Sequence, residues 1–351
     1  MSSTIDVLES RLGANWSGIR AARARTATLL AQLDAAVGDL HDANYSIIVT
    51  GSLGRGEATE GSDADWLLLV DGRSDPEHAI LARTIRSRIV DVVGKNVGRT
   101  GTFGDIVASH ELVHYIAGTR DSNENLTRRI LLLSESRALT NPLLRERVIR
   151  NVLARYVIHD RSVQSRSGHR QTVAHFLLND IVRYWRTMTS DFASKMWERD
   201  REGWGIRNIK LRFSRKVLFL WGLLACFSGE LFARSDLYDV ENEDEHFSRL
   251  AELIRAQTDV PPLELLARAV AQSDDDSVAE AIFSSYDHFL NVLSDPEARM
   301  KLEEVHFDDA LDDPTYAGLR DASHTFREGV TRLFFDTHPK LPKLIRDFGV
   351  F

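Results

Sequence analysis

Two aspartates spaced i, i+2, Asp63 and Asp65, stand at the head of the apolar run Trp66-Leu67-Leu68-Leu69-Val70. In extended backbone that spacing puts both carboxylates on one face and turns Ala64 to the other. Two hard oxygen ligands on one face suit magnesium, with manganese as a substitute. Magnesium keeps several waters and completes its shell with substrate phosphates. A turn rich in glycine and serine, Gly51-Ser52-Leu53-Gly54-Arg55-Gly56, comes just before the pair. Gly51 and Ser52 let the backbone approach a phosphate closely, and the serine hydroxyl can donate to it. Arg55 adds a cation for a nucleotide in the same turn. The combination is suited to a nucleoside triphosphate, with ATP as one instance, and to the metal ions that activate it.

The elements that must position these residues follow from the pattern around them. Tyr45-Ser46-Ile47-Ile48-Val49-Thr50 is β-branched, ends at glycine and reads as a strand. The run from Trp66 to Val70 is its partner. Residues 4–40 read as helical, with Leu8, Leu12, Ile19, Leu29, Leu30 and Leu33 among the apolar positions. Pro76 opens a helix to about Val93, because proline is favoured in a first helical turn. Asn96 to Gly104 reads as a loop or hairpin, and a short strand follows around Phe103–Val107. From Leu126 onward the pattern is almost wholly helical.

At 351 residues there is room for two domains. No apolar run reaches the length of a membrane span, so no membrane partner is expected. The start, MSSTIDVLESRLG, lacks a basic-then-apolar signal pattern, and a cytoplasmic location is the default expectation. The single cysteine, Cys226, lies inside an apolar run and reads as a buried core thiol. The net charge of −8 hides an asymmetry. Residues 1–235 hold 33 Lys and Arg against 26 Asp and Glu; residues 236–351 hold 11 against 26. The basic part contains the aspartate pair, as an anionic substrate would favour. The acidic part argues against a nucleic-acid grip along the whole chain.

The wording GSLGRGEATEGSDADWLLLV resembles the nucleotidyltransferase superfamily with the polymerase β-type palm. It is most similar to the bacterial branch of protein-modifying uridylyltransferases and related nucleotidyltransferases. The resemblance covers about twenty residues. It implies an α+β fold: a small mixed-sheet palm with a larger all-helical domain. The expected layout is a helical segment at 1–40, a palm at 41–125, a helical domain completing the nucleotide cleft at 126–235, and an acidic helical region at 236–351.

The resemblance also implies a third carboxylate on a neighbouring strand, sharing a metal ion with Asp63 and Asp65. Asp105 is the candidate, with Glu111 and Glu135 as rivals. No acidic residue occurs between Gly203 and Gly229. Within that segment Lys210 and Ser214, four apart, resemble the pair that holds the triphosphate tail in many members of the superfamily. Ile206, Ile209, Phe213, Val217 and Leu220 form an apolar stripe there. Arg183 and Arg186 could add positive potential or serve as partners of Asp180.

The activity so implied is magnesium-dependent transfer of a nucleoside monophosphate from a triphosphate to a hydroxyl on protein or RNA. One alternative is a synthase of cyclic or linear oligonucleotide messengers, with a second nucleotide as acceptor. Another is a non-catalytic nucleotide-binding regulator or antitoxin. A more remote one is a zinc hydrolase. His110-Glu111-Leu112-Val113-His114 matches the H-E-x-x-H pattern, with Ser109 as a helix cap and Glu135 as a third ligand. That pattern fixes only three residues in a chain with twelve histidines.

Overall fold

The computed structural model describes residues 2–95, 103–163, 172–198, 202–232, 237 and 242–349. Two expectations, the loop or hairpin from Asn96 and the seam near 235–246, fall largely outside those residues. Helices α1 (Thr4–Leu12) and α2 (Ser17–Val37) are separated at Gly13, whose left-handed backbone (φ 61°) ends α1. Strand β1 (Tyr45–Val49) follows, then the single-turn helix α3 (Gly51–Arg55) and strand β2 (Trp66–Val70). Helix α4 (Glu77–Val93) has Pro76 at its cap position. Strand β3 (Asp105–Ala108), α5 (Ser109–His114) and α6 (Asn123–Ser134) lead to the two-residue strand β4 (Arg137–Ala138). The sequence pattern does not show β4, which lies inside the stretch read as helical.

The sheet order is β3-β2-β1-β4. β1 runs antiparallel to both β2 and β4, while β3 is parallel to β2, so the sheet is mixed. Alternation sorts its side chains into two cores. Ile47, Val49, Trp66, Leu68 and Val70 meet Leu33 and Val37 of α2 and Ile85 and Ile89 of α4. Ile48, Leu67, Leu69 and Val107 face the helical body instead.

That body comprises α7 (Pro142–Val163), α8 (His175–Glu198), α9 (Trp204–Arg212), α10 (Ser214–Cys226) and α11 (Ser228–Phe232). The later helices are α12 (Glu243–Thr258), α13 (Pro262–Val270), α14 (Asp276–Ser294), α15 (Pro296–Glu304), α16 (Pro314–Arg332) and the short α17 (Leu341–Leu344). The architecture is therefore α+β, a small mixed sheet with many helices. Cys226 is fully buried, as its apolar setting implies. No helix among the described residues is long and apolar enough to cross a membrane.

The acidic helices do not stand apart from the sheet. α14 packs on α16 and α2. The Trp16 indole donates to Ser284 Oγ at 3.1 Å, and the Ile19 amide donates to Asp287 Oδ1 at 2.9 Å. A Cβ at Gly18 would lie 2.7 Å from the Asp287 carbonyl, so the glycine allows the close approach of α2 to α14.

Candidate functional site

Asp63 and Asp65 sit in the extended segment just before β2 rather than within it. The Thr50 amide donates to the Asp65 carbonyl at 2.9 Å, which carries the β1–β2 ladder one step further. The alternation read from sequence holds there. Ala64 is buried in the core beneath α2 and α4, on the side opposite Asp65. Asp65 shares the parity of Leu67 and Leu69, the face toward the helical body.

The carboxylate pair is electrostatically unfinished. Among the described residues no protein donor pairs with either side chain. Burial pushes the Asp65 carboxyl up to about 7; the Asp63 charge and, less strongly, Glu135 add to the rise, and Arg215 and Lys210 oppose it. A divalent cation would relieve this excess of negative charge, so the donor set fits magnesium.

Beside the pair, Gly51 has φ 65°, and a Cβ there would lie 2.8 Å from Asp65 Oδ2. Only glycine admits that contact without strain. The turn read from sequence is a helical turn, α3, and its first amide is already used. Gly51 N–H donates to Glu135 Oε1 at 3.1 Å. Glu135 is 0% exposed, and its other oxygen accepts from Arg55 Nη1. Arg55 Nε donates to Glu57 Oε2 at 2.8 Å, and the Tyr286 hydroxyl of α14 donates to Glu57 Oε1 at 2.9 Å. Arg55 is thus turned inward, holding the turn in shape through two carboxylates. The α3 donors left for a phosphate begin at Ser52. Gly54 fits against the 135–136 backbone: a Cβ there would lie 1.6 Å from the Glu135 carbonyl oxygen, an impossible overlap.

The opposite wall comes from α9 and α10. The stripe Ile206, Ile209, Phe213, Val217 and Leu220 is buried throughout. The helix nevertheless breaks at Phe213 (φ −112°, ψ −88°), so Lys210 and Ser214 lie on consecutive helices rather than one. Ser214 Oγ donates back to the Lys210 carbonyl at 3.2 Å, which keeps the two adjacent. Burial lowers the Lys210 ammonium to about 8; Arg299 adds to the fall, Asp63 opposes it, and Arg215 and Arg55 lower it further. Arg215 approaches Glu135 Oε1 at 4.0 Å. The cations of this segment and the aspartate pair thus lie within electrostatic reach of each other.

Asp105 pairs with Leu67 in the parallel β2–β3 ladder, which gives it the same parity as Asp65. It is 56% exposed and is held by Arg128 Nη2 at 3.1 Å and by the Ile106 amide at 2.8 Å. No group of three or more His, Cys, Asp or Glu side chains among the described residues is arranged to hold a metal ion, Asp105 with the pair included. The rival Glu135 is committed to Gly51 and Arg55. Glu111 lies on the six-residue α5, where the His110 and His114 rings approach to 4.6 Å between centroids. Ser109 donates to Asp71 Oδ1 at 2.6 Å and is the first residue of α5 rather than its cap. Arg183 pairs with Asp121 at 3.1 Å and more loosely with Asp180 at 3.8 Å. Arg186 lines a separate open cavity of about 470 Å³ with Asn123 and Asn179.

Sequence reasoning missed the work of Glu57, Tyr286 and Arg299, whose partners lie far away in the chain. It noted Glu135 only as a rival ligand. The signal for Glu57 was present in Arg55-Gly56-Glu57, two charges flanking a glycine in the turn.

Residues 8–137 match the family model described as "Putative nucleotidyltransferase DUF294". No curated protein and no solved structure matches the chain. The matched span reaches into every strand of the sheet and contains the turn, the aspartate pair and Glu135. The match thus supports placing the segment from residue 8 to residue 137 in the nucleotidyltransferase superfamily.

Proposed function

We propose that the chain is a magnesium-dependent nucleotidyltransferase that moves a nucleoside monophosphate from a triphosphate to a hydroxyl on a protein or RNA acceptor, releasing pyrophosphate. The observation that carries this reading is the half-buried Asp63–Asp65 pair, which has no protein donor among the described residues and lies within the electrostatic reach of Lys210 and Arg215. A triphosphate with its cations satisfies both sides of that arrangement at once.

The residues divide the work. Asp63 and Asp65 would hold the magnesium, which when bound supplies charge neutralisation at the entering and departing oxygens. The Ser52 amide and hydroxyl bind the phosphate tail at the start of α3. Lys210 and Arg215 add the positive potential on the other side. Asp105, on the Asp65 face, orients the acceptor hydroxyl, its own position fixed by the Arg128 guanidinium and the Ile106 amide. The acceptor oxygen forms a bond to the α-phosphorus, the bond from that phosphorus to the bridging oxygen breaks, and the electron pair leaves with pyrophosphate. The hydroxyl proton passes to water. Positioning and electrostatics carry most of such a reaction, because the transferring group needs little covalent help.

The test is pyrophosphate release from ATP, GTP, CTP and UTP with magnesium, with and without cell-extract protein or RNA as acceptor. Wild type should label an acceptor, and the Asp63→Ala, Asp65→Ala double variant should not. Undiminished transfer by the purified, folded double variant overturns the assignment. Soluble oligonucleotide formed without any acceptor would move the reading to the messenger synthase.

A further inference from the structure

The acidic C-terminal helices carry one cation to the edge of this site. Arg299, on α15, is 13% exposed although its helix is a surface element. Its Nη1 donates to the Glu60 carbonyl at 3.4 Å, and its Nε lies 3.2 Å from where a Cβ would stand on Gly61. Lys95 reaches the same residue: its Nζ donates to the Gly61 carbonyl at 3.1 Å and lies 3.2 Å from the same Cβ position. Two cations from distant parts of the chain therefore grip the turn that delivers Asp63, two residues further on.

Arg299 also faces inward. Among neighbouring charges it has the largest influence on Lys210, ahead of Asp63. Lys210, Arg215, Arg299 and Lys95 thus gather around the 60–65 segment. The acidic groups facing them are Asp63, Asp65, Glu135 and Glu303. Glu135 shares Arg55 with Glu57, and the two aspartates are the proposed metal carriers. Among the described residues, the acidic side chain paired with Arg299 is Glu303, at 3.2 Å and half exposed. These four cations lie beside a carboxylate pair that calls for a metal–phosphate complex.

We propose that Arg299 binds the terminal phosphates of the nucleoside triphosphate, so that the acidic C-terminal region supplies a polyphosphate ligand to the site on the sheet. This rests on the function proposed above and deepens it. Arginine suits the role because its planar fork pairs with two phosphate oxygens at once, which lysine cannot do. The contact also ties substrate to α15, so a bound tail reports its presence to helices that the aspartate pair does not touch.

The experiment measures binding of inorganic tripolyphosphate and of adenosine monophosphate to the full chain, by calorimetry. Wild type is compared with Arg299→Gln, Arg299→Lys and the neighbouring control Glu303→Gln, each first checked for an unchanged melting temperature. The expected result for Arg299→Gln is a loss of roughly tenfold in tripolyphosphate affinity, the scale of one charge-assisted contact. Monophosphate affinity should not change. Arg299→Lys should fall between, and Glu303→Gln should bind as well as wild type or better. Undiminished tripolyphosphate affinity in Arg299→Gln, with wild type binding normally, overturns the role of Arg299 alone. A wild type that binds neither tripolyphosphate nor any nucleoside triphosphate overturns the site itself, and this inference with it.

Discussion

Two buried arginines in this molecule have nearly the same company. Arg129, on α6, is flanked by Asp121 and Asp180 and donates to the Tyr156 hydroxyl at 2.7 Å. Arg55, on α3, is flanked by Glu57 and Glu135, with the Tyr286 hydroxyl on Glu57. The first cluster closes on itself: Tyr156 donates to Asp180 at 2.7 Å, and Arg183 adds a second cation on Asp121. The second is open on one side, because Glu135 lends an oxygen to the Gly51 amide and sits 4.0 Å from Arg215. The same four-group arrangement is a clamp between α6, α7 and α8 in one place and the rear support of the glycine turn proposed to bind phosphate in the other. Burial and pairing alone do not distinguish frame from site; what the last lone pair touches does.

The largest effect should come from the closed cluster. Arg129→Met leaves Asp121 and Asp180 buried with too little counter-charge, and breaking such a set costs about 3–5 kcal/mol. Denaturant unfolding should show that loss, with specific activity of the surviving folded protein unchanged. A loss under about 1 kcal/mol would mean that the cluster is not the clamp described here. Glu135→Gln should invert the pattern. The amide oxygen still accepts from Gly51, so folding changes less, but the charge that fixes Arg55 and restrains Arg215 is gone. Nucleotidyl transfer should drop by roughly tenfold or more; equal losses in stability and turnover would erase the distinction between the clusters.

Two smaller effects sharpen it. Tyr286→Phe and Tyr156→Phe each remove one buried hydroxyl, for about 1 kcal/mol apiece. Only the former should also slow transfer, measured as kcat at saturating triphosphate. The last test uses pH. Asp65 is held up at about 7, well above an ordinary carboxylate. Its protonated form is therefore favoured by folding, and the stability it contributes at low pH is lost as pH rises through 7. The melting temperature of the metal-free protein should fall less between pH 6 and 8 in Asp65→Asn than in wild type. Magnesium should bind more tightly to wild type at pH 8 than at pH 6, because binding must expel the proton. An affinity that is flat across this range would remove Asp65 from the proposed metal site.

The parts of this arrangement that were legible in the sequence are those fixed by short periods. Alternation around Asp63-Ala64-Asp65 needs only three residues to declare a face, and the apolar run that follows declares the strand. The helical stripe from Ile206 to Leu220 is equally local, although the break at Phe213 within it is not. β4 was invisible because two residues carry no period. Glu135 was visible as a carboxylate but not as a support, since its partners Gly51 and Arg55 lie 84 and 80 residues away. Tyr286 and Arg299 sit in a region with no motif, and only the docking of α14 and α15 gives them meaning.

Position 54 shows how little room this leaves for variation. Where the backbone of α3 passes the Glu135 carbonyl, the space corresponds to one hydrogen atom. Even alanine would push the 135–136 segment away, and with it the carboxylate that holds the Gly51 amide. A change of one methyl group there would be transmitted as a displacement of the turn proposed to hold the phosphates. The tolerance of the site is thus set at its back, by a gap between two main chains.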